Sequence, residues 1–273
     1  MAVAKKSDAR IHVGIGGWVF EPWRGTFYPD GLAQKRELTY AGEKLTSIEI
    51  NGTYYGSQKP ESFARWYEET PPGFVFALKG PRFATNRRVL AEAGPSVERF
   101  LASGVLELRE KLGPINWQFM PTKAFDPEDF AKFLALLPRT IDGRPIRHAV
   151  EVRHASFRSP DFIALAREHE VAIVLAADSD YPQIAAFTAP FSYLRLMGTQ
   201  ESEKLGYSAA ALDLWSARAR ALAGGTLPPG LDVLGKGRAE KGNRDVFLYV
   251  ISGFKVRNPQ AAMALIDRLK KSP

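Results

Sequence analysis

Apolar residues fall in short runs along almost the whole chain, and amphipathic stretches separate the runs. Eight of these runs predict strands: residues 12–16, 47–50, 74–79, 115–119, 148–152, 172–176, 192–197 and 246–251. Several are unbroken Val, Ile, Leu and Ala, as expected of parallel strands covered on both faces. The stretches between them carry helix signals. Asp126-Pro127-Glu128-Asp129 supplies an N-cap, a proline at the first helical position and acids in the first turn, ahead of Phe130, Phe133, Leu134 and Leu137 at helical spacing. Ser159-Pro160 and Asn258-Pro259 open two more helices, and Lys59-Pro60-Glu61 precedes Phe63, Trp66 and Tyr67. Leu212, Trp215 and Leu222 mark another, stopped by Gly224-Gly225.

Strand–helix alternation eight times over predicts parallel β/α units. A closed (β/α)8 barrel of the TIM type accommodates eight such units in about 250 residues without a domain break. An open doubly wound sheet is the alternative, but Gly14-Ile15-Gly16-Gly17 runs into Trp18 and a Pro/aromatic loop instead of a helix, so the dinucleotide-binding signal is absent. The expected organisation is an extended or disordered segment over residues 1–10 and one α/β barrel over 11–273. Residues 224–245, rich in Gly, Pro, Lys and Arg, read as a long solvated connection into the last strand.

The chain has 273 residues and no cysteine, which excludes disulfides, thiolate metal sites and a cysteine nucleophile. No apolar h-region follows the charged first residues, and no apolar run approaches the ~18 residues of a membrane helix. The expected location is the cytoplasm, with no membrane partner. A formal charge of +7 favours anionic partners.

In a barrel of this type the carboxyl ends of the strands converge on one cavity. The predicted strands end in Gly16-Gly17-Trp18, Glu49-Ile50-Asn51, Leu78-Lys79, Gln118-Phe119, Glu151-Val152-Arg153-His154, Ala177-Asp178 and Arg195-Leu196-Met197-Gly198. Glu49 shares a face with Asn51, and Glu151 with Arg153. Buried ionisable groups in this number must pair with one another or serve chemistry.

These tracts resemble a known family. Val13-Gly14-Ile15-Gly16-Gly17-Trp18, Phe27-Tyr28-Pro29, Glu49-Ile50-Asn51 with Tyr54-Tyr55, Phe76-Ala77-Leu78-Lys79, Glu151-Val152-Arg153-His154 and Tyr193-Leu194-Arg195-Leu196 are similar to domain-of-unknown-function family 72, also called YecE-like. The resemblance spans nearly the whole chain. It implies a TIM barrel and no particular activity. The chain departs from the family pattern at Gln118-Phe119-Met120-Pro121, Arg195-Leu196-Met197-Gly198 and Val250-Ile251-Ser252-Gly253; the last two changes remove polar groups from the expected pocket.

Glu151, Asp178 and Glu49 are the candidate catalytic carboxylates. Glu151 and Asp178, on neighbouring strands, suit proton exchange across the 5 to 10 Å that paired carboxyls span. The competing structural reading makes them buried ion pairs, Glu151 with Arg153 or Arg195 and Glu49 with Lys79. Trp18, Asn51, Lys79, Gln118, Arg153, His154 and Arg195 are the candidate substrate-binding residues, and Arg suits bidentate capture of carboxylate or phosphate. The sequence indicates no organic cofactor. A magnesium or manganese site on Glu49, Glu151 and Asp178 is the metal alternative, and only His154 of the four histidines lies near the strand ends. Lys79 also has the chemistry for a Schiff base. Trp18, Phe20, Trp23, Phe27 and Tyr28 form either a stacking platform or a packed plug. Arg82, Arg87 and Arg88 sit in a loop able to guide an anion. Two functions follow: an enzyme acting on a small anionic, sugar- or phosphate-containing molecule, or a nucleic-acid-binding protein or phosphodiesterase using the basic loops.

Overall fold

The computed structural model describes residues 10–234 and 243–271. Eight parallel strands close a barrel: β1 (Ile11–Gly16), β2 (Ser47–Ile50), β3 (Val75–Lys79), β4 (Leu112–Gln118), β5 (His148–Glu151), β6 (Ala172–Ala177), β7 (Phe191–Leu196) and β8 (Asp245–Val250). Each pairs with its neighbours in sequence, and β8 closes on β1 through the register Ile11↔Val246 to Ile15↔Val250. Each predicted strand coincides with a barrel strand to within a few residues. A two-stranded antiparallel pair, Thr140–Ile141 with Arg144–Pro145, precedes β5. The expectations for residues 1–10 and 224–245 fall partly on residues 1–9 and 235–242, which lie outside the described residues.

Among the described residues, seven helices of eight or more residues surround the barrel: α1 (Glu37–Lys44), α2 (Pro60–Glu68), α3 (Gly94–Leu101), α4 (Pro127–Ala135), α5 (Pro160–Glu168), α6 (Ala209–Ala223) and α7 (Asn258–Lys270). The predicted caps form. Asp126 accepts from the amides of Glu128 and Asp129 at the start of α4, and Ser159 accepts from Asp161 at the start of α5. Asn258 belongs to α7 but does not cap it. Its Oδ1 accepts from the Thr199 hydroxyl at 2.8 Å.

The alternation breaks once. Between β6 and β7 the chain makes no helix, because Pro182 and Pro190 bracket the stretch and Ile184, Ala185 and Phe187 pack into the core individually. That missing helix leaves a gap in the outer ring above β6.

Alternation along each strand sorts the side chains. Val13, Ile15, Ile48, Leu78, Trp117, Val150 and Leu196 face the helices. Ala77, Ala149, Ala172, Val174, Phe191, Tyr193, Phe247 and Tyr249 fill the barrel. The large rings come from β7 and β8 and the alanines from β3, β5 and β6, so big and small side chains interdigitate across the lumen. β4 keeps the right phase only through a register shift against β3: Phe76 pairs with Leu112, but Leu78 with Ile115. The extra residue turns Asn116 and Gln118 inward. It falls between Leu112 and Ile115, a stretch that includes Gly113, where a Cβ would meet the Phe76 carbonyl oxygen at 2.7 Å.

His12 and His148 lie at the amino-terminal ends of β1 and β5 and are buried there. His12 stacks on Phe247, ring centroids 5.0 Å apart. His148 Nδ1 accepts from Trp117 Nε1 at 3.1 Å, so its Nε2–H donates to the Pro138 carbonyl at 2.9 Å. Burial lowers the His148 pKa from 6.5 to about 4. The unfolded chain therefore takes up a proton near pH 6.5 that the folded chain refuses, and stability falls as pH drops from about 6.5 to about 4, by up to roughly 3 kcal/mol from this residue. Urea denaturation across that range is expected to show the loss, with a shallower slope in His148→Gln. An unchanged slope in the variant would show that His148 is not the titrating group.

Candidate functional site

The interior phase of each strand carries polar groups upward toward the carboxyl face. β2 contributes Ser47 then Glu49, β4 Asn116 then Gln118, and β7 Tyr193 then Arg195, while Lys79 ends β3 and Glu151 ends β5. All eight are buried. Arg195 reaches across the lumen as a fork: Nη2 donates to Glu49 Oε1 at 3.0 Å and Nη1 to Glu151 Oε2 at 2.6 Å. Glu49 Oε2 also accepts from the Tyr193 hydroxyl. Asn116 Nδ2 lies 3.4 Å from Glu49 and 3.3 Å from Glu151. Glu151 Oε1 accepts from Gln118 Nε2 at 2.9 Å and from Arg153 Nε and Nη2 at 2.9 and 2.7 Å. Lys79 Nζ donates to Gln118 Oε1 and sits 4.4 Å from the centre of the Tyr54 ring.

Both Glu151 oxygens are therefore occupied. Burial pushes its carboxyl up, but Arg195, Arg153 and Lys79 overcome that and hold it at about 2. A carboxylate this strongly stabilised is a fixed negative charge and a poor proton carrier. Lys79 moves toward the physiological range: burial first, then Arg195, lower it to about 8. Three cations around two carboxylates leave the cluster with one net positive charge while Lys79 is protonated. Glu49 pairs with Arg195 and not with Lys79, because the guanidinium spans both acids while the lysine amine is held by Gln118. The same cation stands where the magnesium or manganese alternative needed an ion. Among the described residues, no three His, Asp or Glu side chains come together as a metal-binding group.

The remaining sequence candidates lie outside this cluster. Asn51 folds over the end of β1, where Gly16 admits it: a Cβ there would come within 2.8 Å of the Asn51 amide nitrogen. His154 Nδ1 accepts from the Ser156 amide at 3.2 Å and caps the turn Ala155–Phe157. Trp18 turns to the flank of the barrel, edge-on to Trp66 at 5.3 Å, and lines a groove with Leu38 and Arg65. Trp23, Phe27 and Tyr28 are buried in the core, so most of the first loop is a plug.

Asp178 is exposed, in the left-handed backbone region (φ 55°). Its Oδ2 accepts from Trp215 Nε1 at 3.0 Å. The Tyr207 hydroxyl accepts from the Gly198 amide at 2.8 Å, and burial together with the nearby Asp178 carboxylate pushes its pKa up. This carboxylate borders a cleft of about 710 Å³ in the helix-free gap above β6, lined also by Arg153, Arg158, Ser179, Asp180, Tyr181, Arg218 and Asp232. A second hollow of about 580 Å³ shares Asp178 to Tyr181 and reaches Met197 and Ser252. Arg153 joins floor to cleft: its side chain is 20% exposed against 0% for Glu151, and its guanidinium lies 4.4 Å from the Tyr181 ring centre. Arg158 pairs with Asp232, and Arg218 lies 4.6 Å from the Trp215 ring centre.

Sequence reasoning missed Asn116 and Tyr193, although each stands two residues before a predicted site residue and so shares its face. Arg158, Tyr181 and Arg218 had no sequence signal.

Among the described residues no helix is long and apolar enough to cross a membrane. The family model described as "Protein of unknown function DUF72" matches residues 12–273. The UPF0759 protein YecE of Escherichia coli K12 is 29% identical over 149 residues, which is 54% of this chain and 50% of that protein. UPF0759 protein YunF of Bacillus subtilis is 24% identical over 157 residues, 56% of this chain and 54% of that protein. The chain thus spans about half the length of these curated relatives. A crystal structure of a DUF72 family protein from Thermotoga maritima superposes with TM-score 0.72 at 21% identity, covering 96% of this chain and 99% of that one. One from Enterococcus faecalis gives 0.69 at 15% identity, covering 97% of each chain.

Removing Arg195 leaves two buried carboxylates facing each other. Arg195→Met is expected to cost about 3 to 5 kcal/mol, and adding Glu49→Gln to recover part of it. Arg195→Lys recovers little, since one ammonium cannot fork to both acids. Urea midpoints at constant m-value measure all three; a loss under about 1 kcal/mol for Arg195→Met would contradict the pairing.

Proposed function

The chain belongs to the DUF72 family of proteins of unknown function, and from that premise we propose that it is an enzyme acting on a small anionic, sugar- or phosphate-containing substrate by acid–base chemistry at the carboxyl face of the barrel. One observation carries this reading. Asp178, whose Oδ2 accepts from Trp215 Nε1 at 3.0 Å, opens into the same cleft as the guanidinium groups of Arg153, Arg158 and Arg218. A cleft of about 710 Å³ is of the size that small-molecule sites have.

The roles divide by depth. Asp178 exchanges the proton, because it is the candidate carboxylate that borders the cleft. Arg153 holds the substrate's negative charge, and Tyr181 keeps its guanidinium plane in place. Glu49, Arg195 and Glu151 form a fixed electrostatic floor that sets the position of Arg153 and, through Gln118, of Lys79. Lys79 can supply a second titrating group near pH 8.

The reading is tested with a panel of sugar phosphates and sugar acids, followed by calorimetry and by turnover of whichever compound binds. Arg153→Ala is expected to weaken binding about tenfold or more. Asp178→Asn is expected to leave affinity within about threefold and to lower turnover at least about 100-fold. Full turnover in Asp178→Asn, or binding indifferent to both Arg153→Ala and Arg158→Ala, would remove the proposal.

A further inference from the structure

The segments that follow β2, β3 and β4 differ in chemistry from the cleft above β6. Residues 51–59, 80–91 and 119–125 carry Lys59, Arg82, Arg87, Arg88 and Lys123 and no aspartate or glutamate. Lys123 is spent on Asp129, and Arg87 on the Phe83 carbonyl and Ser96. Lys59, Arg82 and Arg88 have no carboxylate partner among the described residues. The same segments expose two aromatic rings, Tyr55 at 64% and Phe83 at 60%. The Arg82 guanidinium lies 5.9 Å from the centre of the first and 5.5 Å from the centre of the second.

Rings left mostly in water forgo burial free energy, and the edge-on contact of Tyr54 with Tyr55 leaves most of the Tyr55 ring exposed. Cations grouped without acids repel one another. Both costs vanish against a ligand that is a polyanion and also presents flat faces. We propose that this face binds single-stranded nucleic acid, with bases stacked on Tyr55 and Phe83 and phosphates paired with Lys59, Arg82 and Arg88. A single strand is required, since a duplex keeps its base faces stacked inside. A niche of about 120 Å³ beside Phe83 is lined by Ser57, Ser96 and Arg99 together with Pro81 and Phe100. The surface is separate from the Asp178 cleft, and the inference stands whatever that cleft turns over.

The test uses the full chain and a fluorescein-labelled deoxythymidine oligomer of about 15 nucleotides, read by anisotropy. Affinity is expected to fall steeply between about 50 and 200 mM salt. Tyr55→Ala and Phe83→Ala are each expected to weaken binding about five- to hundredfold. Both sites are exposed, so melting temperatures should hardly move. Arg82→Ala should weaken the oligomer and an abasic oligomer of equal length alike. The abasic oligomer should bind less tightly and ignore the two aromatic substitutions. Equal binding of the abasic oligomer or of heparin, with Tyr55→Ala and Phe83→Ala silent, would reduce the surface to a charge patch and overturn the proposal. Tighter binding of polyglutamate than of the oligomer would assign the face to an acidic protein and overturn it too. No binding at the lowest salt would end it.

Discussion

One guanidinium shared by two buried carboxylates is the constraint around which this barrel is built. Arg195 crosses the lumen from β7 to Glu49 on β2 and Glu151 on β5. Three charges in a water-poor interior are tolerated only while each finds its partners. Their surroundings comply: Tyr193 and Asn116 donate to the acids from below, and Gln118 and Arg153 from above. Small residues clear the space. β1 offers Gly14 and Gly16 to the interior, and β6 sets Ala176 beside Arg195 in the sheet register.

This arrangement separates positioning from reaction. In the floor, Glu151 is locked negative and Arg195 positive. The groups that meet solvent are Arg153 and the acids and arginines of the cleft. Because Arg153 is tied to Glu151, the buried cluster fixes the orientation of the one guanidinium that reaches from floor to cleft. Asp178 to Gln183 of the helix-free connection from β6 to β7 form one wall of the cleft.

Much of the fold could be read from the chain. Parallel strands buried on both faces need unbroken apolar runs, so their positions were visible, as were the helix starts at Asp126 and Ser159, where a cap and a proline stand together. The run from Asp178 to Pro190 was harder, because Ile184, Ala185 and Phe187 are apolar enough for a helix yet pack one at a time. At the site, Glu49, Lys79, Gln118, Glu151 and Arg195 could be selected together because each ends an apolar run. Trp18, His154 and Asp178 end runs too, yet they leave the cluster for the flank, a turn and the cleft.

What the sequence determined by itself is phase: which residues are strand, which face of the strand each occupies, and hence which polar groups enter the barrel end. What only the tertiary structure decided is partnership. Closure, register and the extra residue in β4 set which side chains meet across the lumen, and so gave Glu49 to Arg195 instead of Lys79. The physical reason is range. Alternation is a local consequence of backbone geometry, whereas ion pairing depends on distances between residues up to 146 positions apart, which no local pattern encodes.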